Sequence, residues 1–260
     1  MSEILLSRRR LIGLGAAGAS SLVLPGCDQL DFLGRSDSVV RALLEQADTL
    51  TYRAQRLLIR EGALAPEYSE TEIRQGQRPN GSRDPQTDEY LALRAKDFAG
   101  YRLSVTGLVA RPTSYSLAEL RNMPSRTQIT RHDCVEGWSC IAKWTGTPLA
   151  RILDEVRVAP SARFVVFHCY DRYGGGADLY YESCDLIDAR HPQTILAYGL
   201  NGQSLPVANG APVRVRLERA LGYKQPKYVH TIELVDDFAR LGRGKGGYWE
   251  DRGYDWFGGI

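Results

Sequence analysis

Six short runs of β-branched, aromatic and aliphatic residues, at 101–109, 127–132, 163–170, 194–198, 212–217 and 228–235, constrain this chain more than any other feature. Each has the length of a strand and ends at a turn or a helix start. Ser116-Leu117-Ala118-Glu119 reads as a capping box, so a short helix follows it. Thr147-Pro148 reads as a cap and a first-turn proline ahead of a helix over 149–156. Asn201-Gly202 predicts a tight hairpin, because both residue types accept the left-handed backbone such a turn requires. There is no internal repeat and no βαβ series with a glycine fingerprint. The pattern predicts an α+β domain with mixed sheets and short helices.

Upstream, Val40, Leu43, Leu44, Ala47, Leu50, Ala54, Leu57 and Leu58 recur at helical spacing, with Ser36, Asp37 or Ser38 as the cap. Residues 62–98 are polar and carry Pro66, Pro79, Gly81 and Pro85. A connection of that length inside a compact domain is expected to be ordered by packing or by a ligand. Residues 242–260, rich in glycine and aromatics, are expected to wrap the domain.

At the head, Ser7-Arg8-Arg9-Arg10 precedes a weakly apolar run that ends at Pro25. The run falls short of the ~20 residues a membrane span needs. It reads as a twin-arginine export signal over 1–26, which implies a periplasmic location. Leu24-Pro25-Gly26-Cys27 resembles a lipobox, which would leave Cys27 as a lipid anchor; conventional cleavage nearby is the other reading. The expected organisation is the signal, a tether over 27–37, a helix over 38–62 and one domain over 63–260.

Composition removes several classes. With 43% hydrophobic and 25% charged residues in 260, the chain is neither disordered nor a polytopic membrane protein. Its 33 basic and 31 acidic residues nearly cancel, and nothing marks a nucleic-acid footprint. Most of the cations are arginines, which suit bidentate contact with anions.

Five cysteines occur, Cys27, Cys134, Cys140, Cys169 and Cys184. An exported chain can oxidise them, so pairs such as Cys134–Cys140 or Cys169–Cys184 stay open. Cys134 stands apart, at the end of a strand run and the start of the turn Val135-Glu136-Gly137. No Cys-x-x-Cys pair and no His-Glu-x-x-His helix supports a zinc or thioredoxin-like role. Gly174-Gly175-Gly176 reads as a tight turn rather than a phosphate loop.

Cys134-Val135-Glu136-Gly137-Trp138-Ser139, followed by Trp144-Thr145-Gly146-Thr147-Pro148-Leu149, resembles the sulfite-oxidase-fold molybdopterin oxidoreductases. His191-Pro192-Gln193-Thr194, Asn209-Gly210-Ala211-Pro212-Val213-Arg214 and Gly222-Tyr223-Lys224 fall in the same order, so the likeness covers roughly residues 75–236. The branch it looks most similar to contains the catalytic subunit of the periplasmic methionine sulfoxide reductase. The resemblance implies a molybdenum–molybdopterin cofactor with Cys134 as its thiolate ligand, a soft donor suited to such a metal. It implies that Asn209, Arg214, Lys224, Gln225, Pro226 and Lys227 grip the pterin and its phosphate. Asn80, with Arg83 and Asp84 beside it, matches an upstream family segment, and Cys169 stands where the family has threonine. Glu136 and His132 are candidates for tuning the metal or moving protons.

The chain departs from the reductase branch in Arg131-His132-Asp133 and in ending soon after Gly246-Gly247-Tyr248-Trp249-Glu250. It has no Cys-x-x-Cys-His haem motif, so electrons are expected from a separate membrane haem or quinone-linked partner. The expected reaction is two-electron oxygen-atom transfer on a small substrate such as a sulfoxide. The competing class is a non-catalytic, disulfide-stapled exported binding domain.

Overall fold

The computed structural model describes residues 39–260 apart from 174, 175 and 177. The export signal, Cys27, the tether, the caps at 36–38 and the first two glycines of the triple therefore lie outside the described residues. By its internal contacts the chain divides into Met1–Ala47 and Asp48–Ile260. The first unit is described only through the opening of helix α1 (Val39–Leu58). No described helix is long and apolar enough to cross a membrane.

The second unit holds two five-stranded sheets. One is ordered β2 (Thr113–Ser116), β1 (Arg102–Gly107), β10 (Val229–Val235), β5 (Phe164–Arg172), β6 (Leu179–Asp185). Only β1 and β10 run parallel in it. The other is ordered β3 (Arg126–Cys134), β4 (Trp138–Pro148), β7 (Ile195–Leu200), β8 (Gln203–Ser204), with β9 (Arg214–Arg216) also paired to β7. α2 (Asp88–Arg94) leads into β1, and three short helices connect the sheets: α3 (Leu117–Asn122), α4 (Leu149–Val156) and α5 (Leu186–Ala189). All six expected strands form, and the architecture is the α+β class that the pattern predicts.

The main core lies between the first sheet and α4, which buries Leu149, Ile152, Leu153 and Val156 at its helical spacing. A smaller cluster of Ala142, Trp144, Ile195, Ala197, Leu200 and Leu205 serves the second sheet. The buried positions of β3 are Gln128, Thr130 and His132, which is unusual for a strand face turned inward. Their polar atoms need partners, and Gln128 Nε2 finds one in Glu218 at 2.8 Å.

Four strands were not visible in the residue pattern: β2, β4, β6 and β8. The longest, β4, carries Ser139, Lys143 and Thr145 on its open side and is interrupted by Gly146. That glycine is required by a close approach, since a Cβ there would sit 2.3 Å from the Leu196 carbonyl at a register shift between β4 and β7. β6 is buried almost throughout, so its residues show no alternation. The C-terminal stretch covers it: the Tyr248 N–H donates to Tyr181 O at 2.9 Å, and the Trp256 indole to Ser183 Oγ at 2.9 Å.

The capping box at Ser116 forms, with the Glu119 N–H donating to Ser116 Oγ. Asn201 and Gly202 take φ of 51° and 77°, as the β7–β8 hairpin requires. The Thr147-Pro148 expectation is corrected by one residue. Thr147 is still in β4, its hydroxyl donating to Leu120 O at 2.7 Å, and Pro148 occupies the cap itself. The long polar segment is ordered by packing: the Tyr68 N–H donates to Ile129 O, the Arg74 N–H to Ile141 O, and Glu67 bridges Thr130.

Candidate functional site

Cys134 ends β3 and sits opposite Trp138, the first residue of β4. The turn between them closes because Gly137 takes φ +81° and donates its N–H to Cys134 O at 3.0 Å. The thiol is half-buried and unpaired. Burial pushes its pKa up, against a backbone hydrogen bond from Glu136 that lowers it.

The thiol lines a cavity of about 110 Å³. The long polar segment contributes Asn80, Gly81 and Ser82, while Asp171, Tyr173 and Tyr180 come from the β5–β6 region. Gly222, Tyr223, Gln225, Pro226 and Lys227 form another wall, and the C-terminal stretch adds Trp249 and Tyr254. Position 222 has to be glycine: a Cβ would lie 2.6 Å from His132 Nε2, so this loop is pressed against β3. The Asn80 amide donates to Gly222 O at 3.4 Å and ties the polar segment to it.

Behind that wall, Arg214 is fully buried with no carboxylate partner. Its guanidinium donates to Asn209 O at 3.0 Å and to Gln225 O at 3.2 Å, while Nε has no partner. Burial, then the charge of Arg216, pushes its pKa down to about 9. Lys227 donates to the carbonyls of Ser82 and Ala208, again with no carboxylate in contact. Burial, then Arg214, pushes its pKa down to about 7. The two are neighbours across Gly210, where a Cβ would meet both side chains at 3.0 Å. Asn209 Nδ2 is buried there without a partner as well. An unmade buried hydrogen bond costs ~1–3 kcal/mol, and two cations with spare donors in one place suit an anion such as a phosphate.

Asp171 also faces the cavity. Burial holds its carboxyl above the usual carboxylate range, Ser82 donates to one oxygen, and Oδ1 has no partner.

Not every expected site residue lines the cavity. His132 is buried behind Gly222, and its Nδ1 is 2.8 Å from Arg216. A guanidinium only donates, so Nδ1 accepts and the ring proton is on Nε2. Burial, then Arg216 and Arg214, drives the imidazole pKa well below its ordinary value, so the ring is neutral. Glu136 reaches the cavity rim, where it accepts from the Trp138 indole at 2.9 Å. Arg83 is exposed but close enough to depress Lys227, and Asp84 pairs with Arg94 at 2.5 Å. Cys169 is fully buried in β5 outside the lining. Lys224 is turned away, between Glu182 at 2.5 Å and Glu250 at 2.6 Å.

Ser82, Asp171, Tyr173, Tyr180, Trp249 and Tyr254 were not singled out by sequence reasoning. Only the two from the aromatic C-terminal stretch carried a signal, as part of a segment expected to wrap the domain. The disulfide-stapled alternative is overturned. Cys134, Cys140, Cys169 and Cys184 are all unpaired. The register explains it: Cys140 faces His132 rather than Cys134, and Cys184 faces Val165, four residues before Cys169.

Residues 90–240 match the family model described as the oxidoreductase molybdopterin binding domain. A chain of Azospira oryzae, named provisionally as the protein-methionine-sulfoxide reductase subunit YedZ1, is 39% identical over 91% of this chain and 82% of its own length. The protein-methionine-sulfoxide reductase catalytic subunit MsrP of Ralstonia nicotianae is 39% identical over 52% of this chain and 44% of its own. Among solved structures, the sulfane dehydrogenase SoxCD from Paracoccus pantotrophus aligns with a TM-score of 0.48 and 21% identity, over 53% of this chain and 39% of that one. The family match over more than half of the chain excludes a non-catalytic binding module and agrees with the donors around Cys134. The chain belongs to the molybdopterin-binding oxidoreductases and is an enzyme that uses molybdenum–molybdopterin.

Proposed function

We propose that this enzyme is exported by the twin-arginine route and reduces sulfoxides in the periplasm, with methionine sulfoxide in protein as the substrate class. Two relatives named for that reaction support the reading. The observation that carries it is the pairing of a free thiol at a strand end with two buried cations that hydrogen-bond only to carbonyls.

The residues fit the cofactor. Cys134 Sγ would hold the metal as a thiolate, its proton passing to solvent on binding despite the burial that raises its pKa. Arg214, Lys227 and the free amide of Asn209 would hold the phosphate, and Asn80 and Gln225 would contact the pterin. When bound, the molybdenum cofactor supplies two-electron oxygen-atom transfer. Reduction of a sulfoxide takes up two electrons and two protons and releases water. Asp171 is suited to hold one of those protons at Oδ1, since its carboxyl is raised and faces the cavity. Tyr173, Trp249 and Tyr254 give the substrate an apolar, polarisable wall that suits a thioether product. Glu136 sits at the rim, where it can exchange protons with solvent. His132, neutral and wedged behind Gly222, acts by holding the Gly222–Lys224 turn in place.

Electrons come from a separate membrane haem or quinone-linked protein, and Cys27, where it is lipidated, keeps the enzyme near it. On this reading residues 1–26 are the export signal, 27–37 a tether and 63–260 the catalytic domain, while the helical lead expected over 38–62 ends at Leu58.

The test is Cys134→Ser. The variant is expected to fold and to retain pterin through Arg214 and Lys227. It should lose sulfoxide reduction with a dye electron donor and one sulfur neighbour in molybdenum K-edge absorption. Unchanged turnover with an unchanged sulfur count would make another residue the ligand.

A further inference from the structure

The second half of helix α1 carries its apolar stripe on the outside. Leu50, Leu57 and Leu58 are 66%, 85% and 80% exposed, and with exposed Ala54 they fall at i, i+4, i+7 and i+8 on one face. The opposite face is tied to the body. Tyr52 OH donates to Asp185 at 2.8 Å, and the Arg56 guanidinium bridges Asp185 at 2.8 Å and Asp188 at 2.6 Å. These bonds fix the helix's rotation, so the stripe cannot turn inward.

The charge beside the stripe is one-sided. Between residues 49 and 64 the chain has Arg53, Arg56 and Arg60 against a single acid, Glu61. Arg56 is engaged with the body, while Arg53 and Arg60 are exposed next to the leucines. An outward apolar stripe with flanking arginines is the arrangement of a helix that lies in a membrane interface. A second copy fits less well, because a single file of leucines falls far short of the ~800 Å² per partner that a stable dimer buries.

We propose that the second half of α1 is a membrane-docking surface that seats Leu50, Leu57 and Leu58 among the acyl chains of an anionic lipid layer. Arg53 and Arg60 meet the headgroups. The surface acts whether or not Cys27 is lipidated. Since α1 begins twelve residues after Cys27, an anchor there would deliver this face to the same layer.

The experiment places an environment-sensitive fluorophore on Leu58→Cys in the cofactor-loaded, full-length chain, with the Leu58 parent as the labelling blank. Vesicles of phosphatidylethanolamine and phosphatidylglycerol should shift its emission to the blue, and pure phosphatidylcholine should do so far more weakly. Arg53→Gln and Arg60→Gln should each weaken binding to the anionic vesicles about fivefold, as expected for an arginine close to such a surface. Vesicle sedimentation without any emission change at position 58 would overturn the proposal and leave N-terminal anchoring standing. A vesicle-independent dimer in sedimentation velocity that Leu57→Glu dissociates would overturn it in favour of a second copy.

Discussion

Lys224 and Lys227 lie three residues apart on one wall of the site and are both buried, yet their surroundings are opposite. Lys224 sits between two carboxylates, Glu182 and Glu250, which raise its pKa despite burial. Lys227 makes hydrogen bonds to carbonyls alone, and burial and the charge of Arg214 outweigh the nearby Asp171, so its pKa falls to about 7. A cation already neutralised by its neighbours is part of the scaffold. One left without a carboxylate contact is, on the reading proposed above, available to a ligand. Arg214 and Arg216 repeat the lesson on a single strand: Arg216 is paired with Glu218 at 2.6 Å, whereas Arg214 has no carboxylate.

Breaking the scaffold lysine should have the larger effect on the fold. Lys224→Met leaves Glu182 and Glu250 buried side by side without their cation, at about 3–5 kcal/mol by analogy with other broken buried pairs. The expected outcome is a marked loss of thermal stability, read by calorimetry. A melting temperature equal to the parent's would show that the carboxylates are neutral or hydrated.

Arg214→Ala should instead spare the fold and empty the site. With the phosphate deprived of a buried charged partner, the cofactor is expected to bind about 3–5 kcal/mol more weakly. The protein should be isolated largely free of pterin, as measured by fluorescence after oxidative release. Full pterin content would remove Arg214 from the phosphate site.

Lys227→Met sharpens the contrast through its sign. Without cofactor, burial of an uncompensated ammonium costs stability, so this variant should be as stable as the parent or more so, by on the order of 1 kcal/mol. With cofactor present it should be the less stable of the two. A cofactor-free variant less stable than the parent would make Lys227 a second scaffold lysine.

The smallest effect is a pH slope. Because Lys227 titrates near 7 rather than near 10.5, the cofactor-free fold binds fewer protons than the unfolded chain between those values, and its stability should rise with pH across that window. Anion binding runs the other way. The bound phosphate favours the charged lysine, so affinity should fall by at most ~tenfold per pH unit above 7. Phosphate titrations of cofactor-free protein at pH 6, 7 and 8 check this, and a flat profile would detach Lys227 from the anion.

Local signals in the chain were enough to place six strands, the Ser116 capping box, the β7–β8 hairpin and the helix ending at Leu58, because each depends on neighbouring residues alone. The motif around Cys134 carried the resemblance to the molybdopterin oxidoreductases, and that resemblance named Cys134, Arg214 and Lys227 as candidates for the cofactor site. Tertiary structure decided the rest. β6 carries no alternation, since it is covered by the C-terminal stretch, while β4 alternates in burial but carries Ile141 on its open side. No spacing could reveal that Asp171 and Tyr180 face the same cavity as Cys134, because they belong to the other sheet and meet it only in the folded chain. Nor could it separate Lys224 from Lys227. Their difference is set by Glu182 and Glu250, which are distant in sequence and close only after folding, and electrostatic energy depends on distance in space.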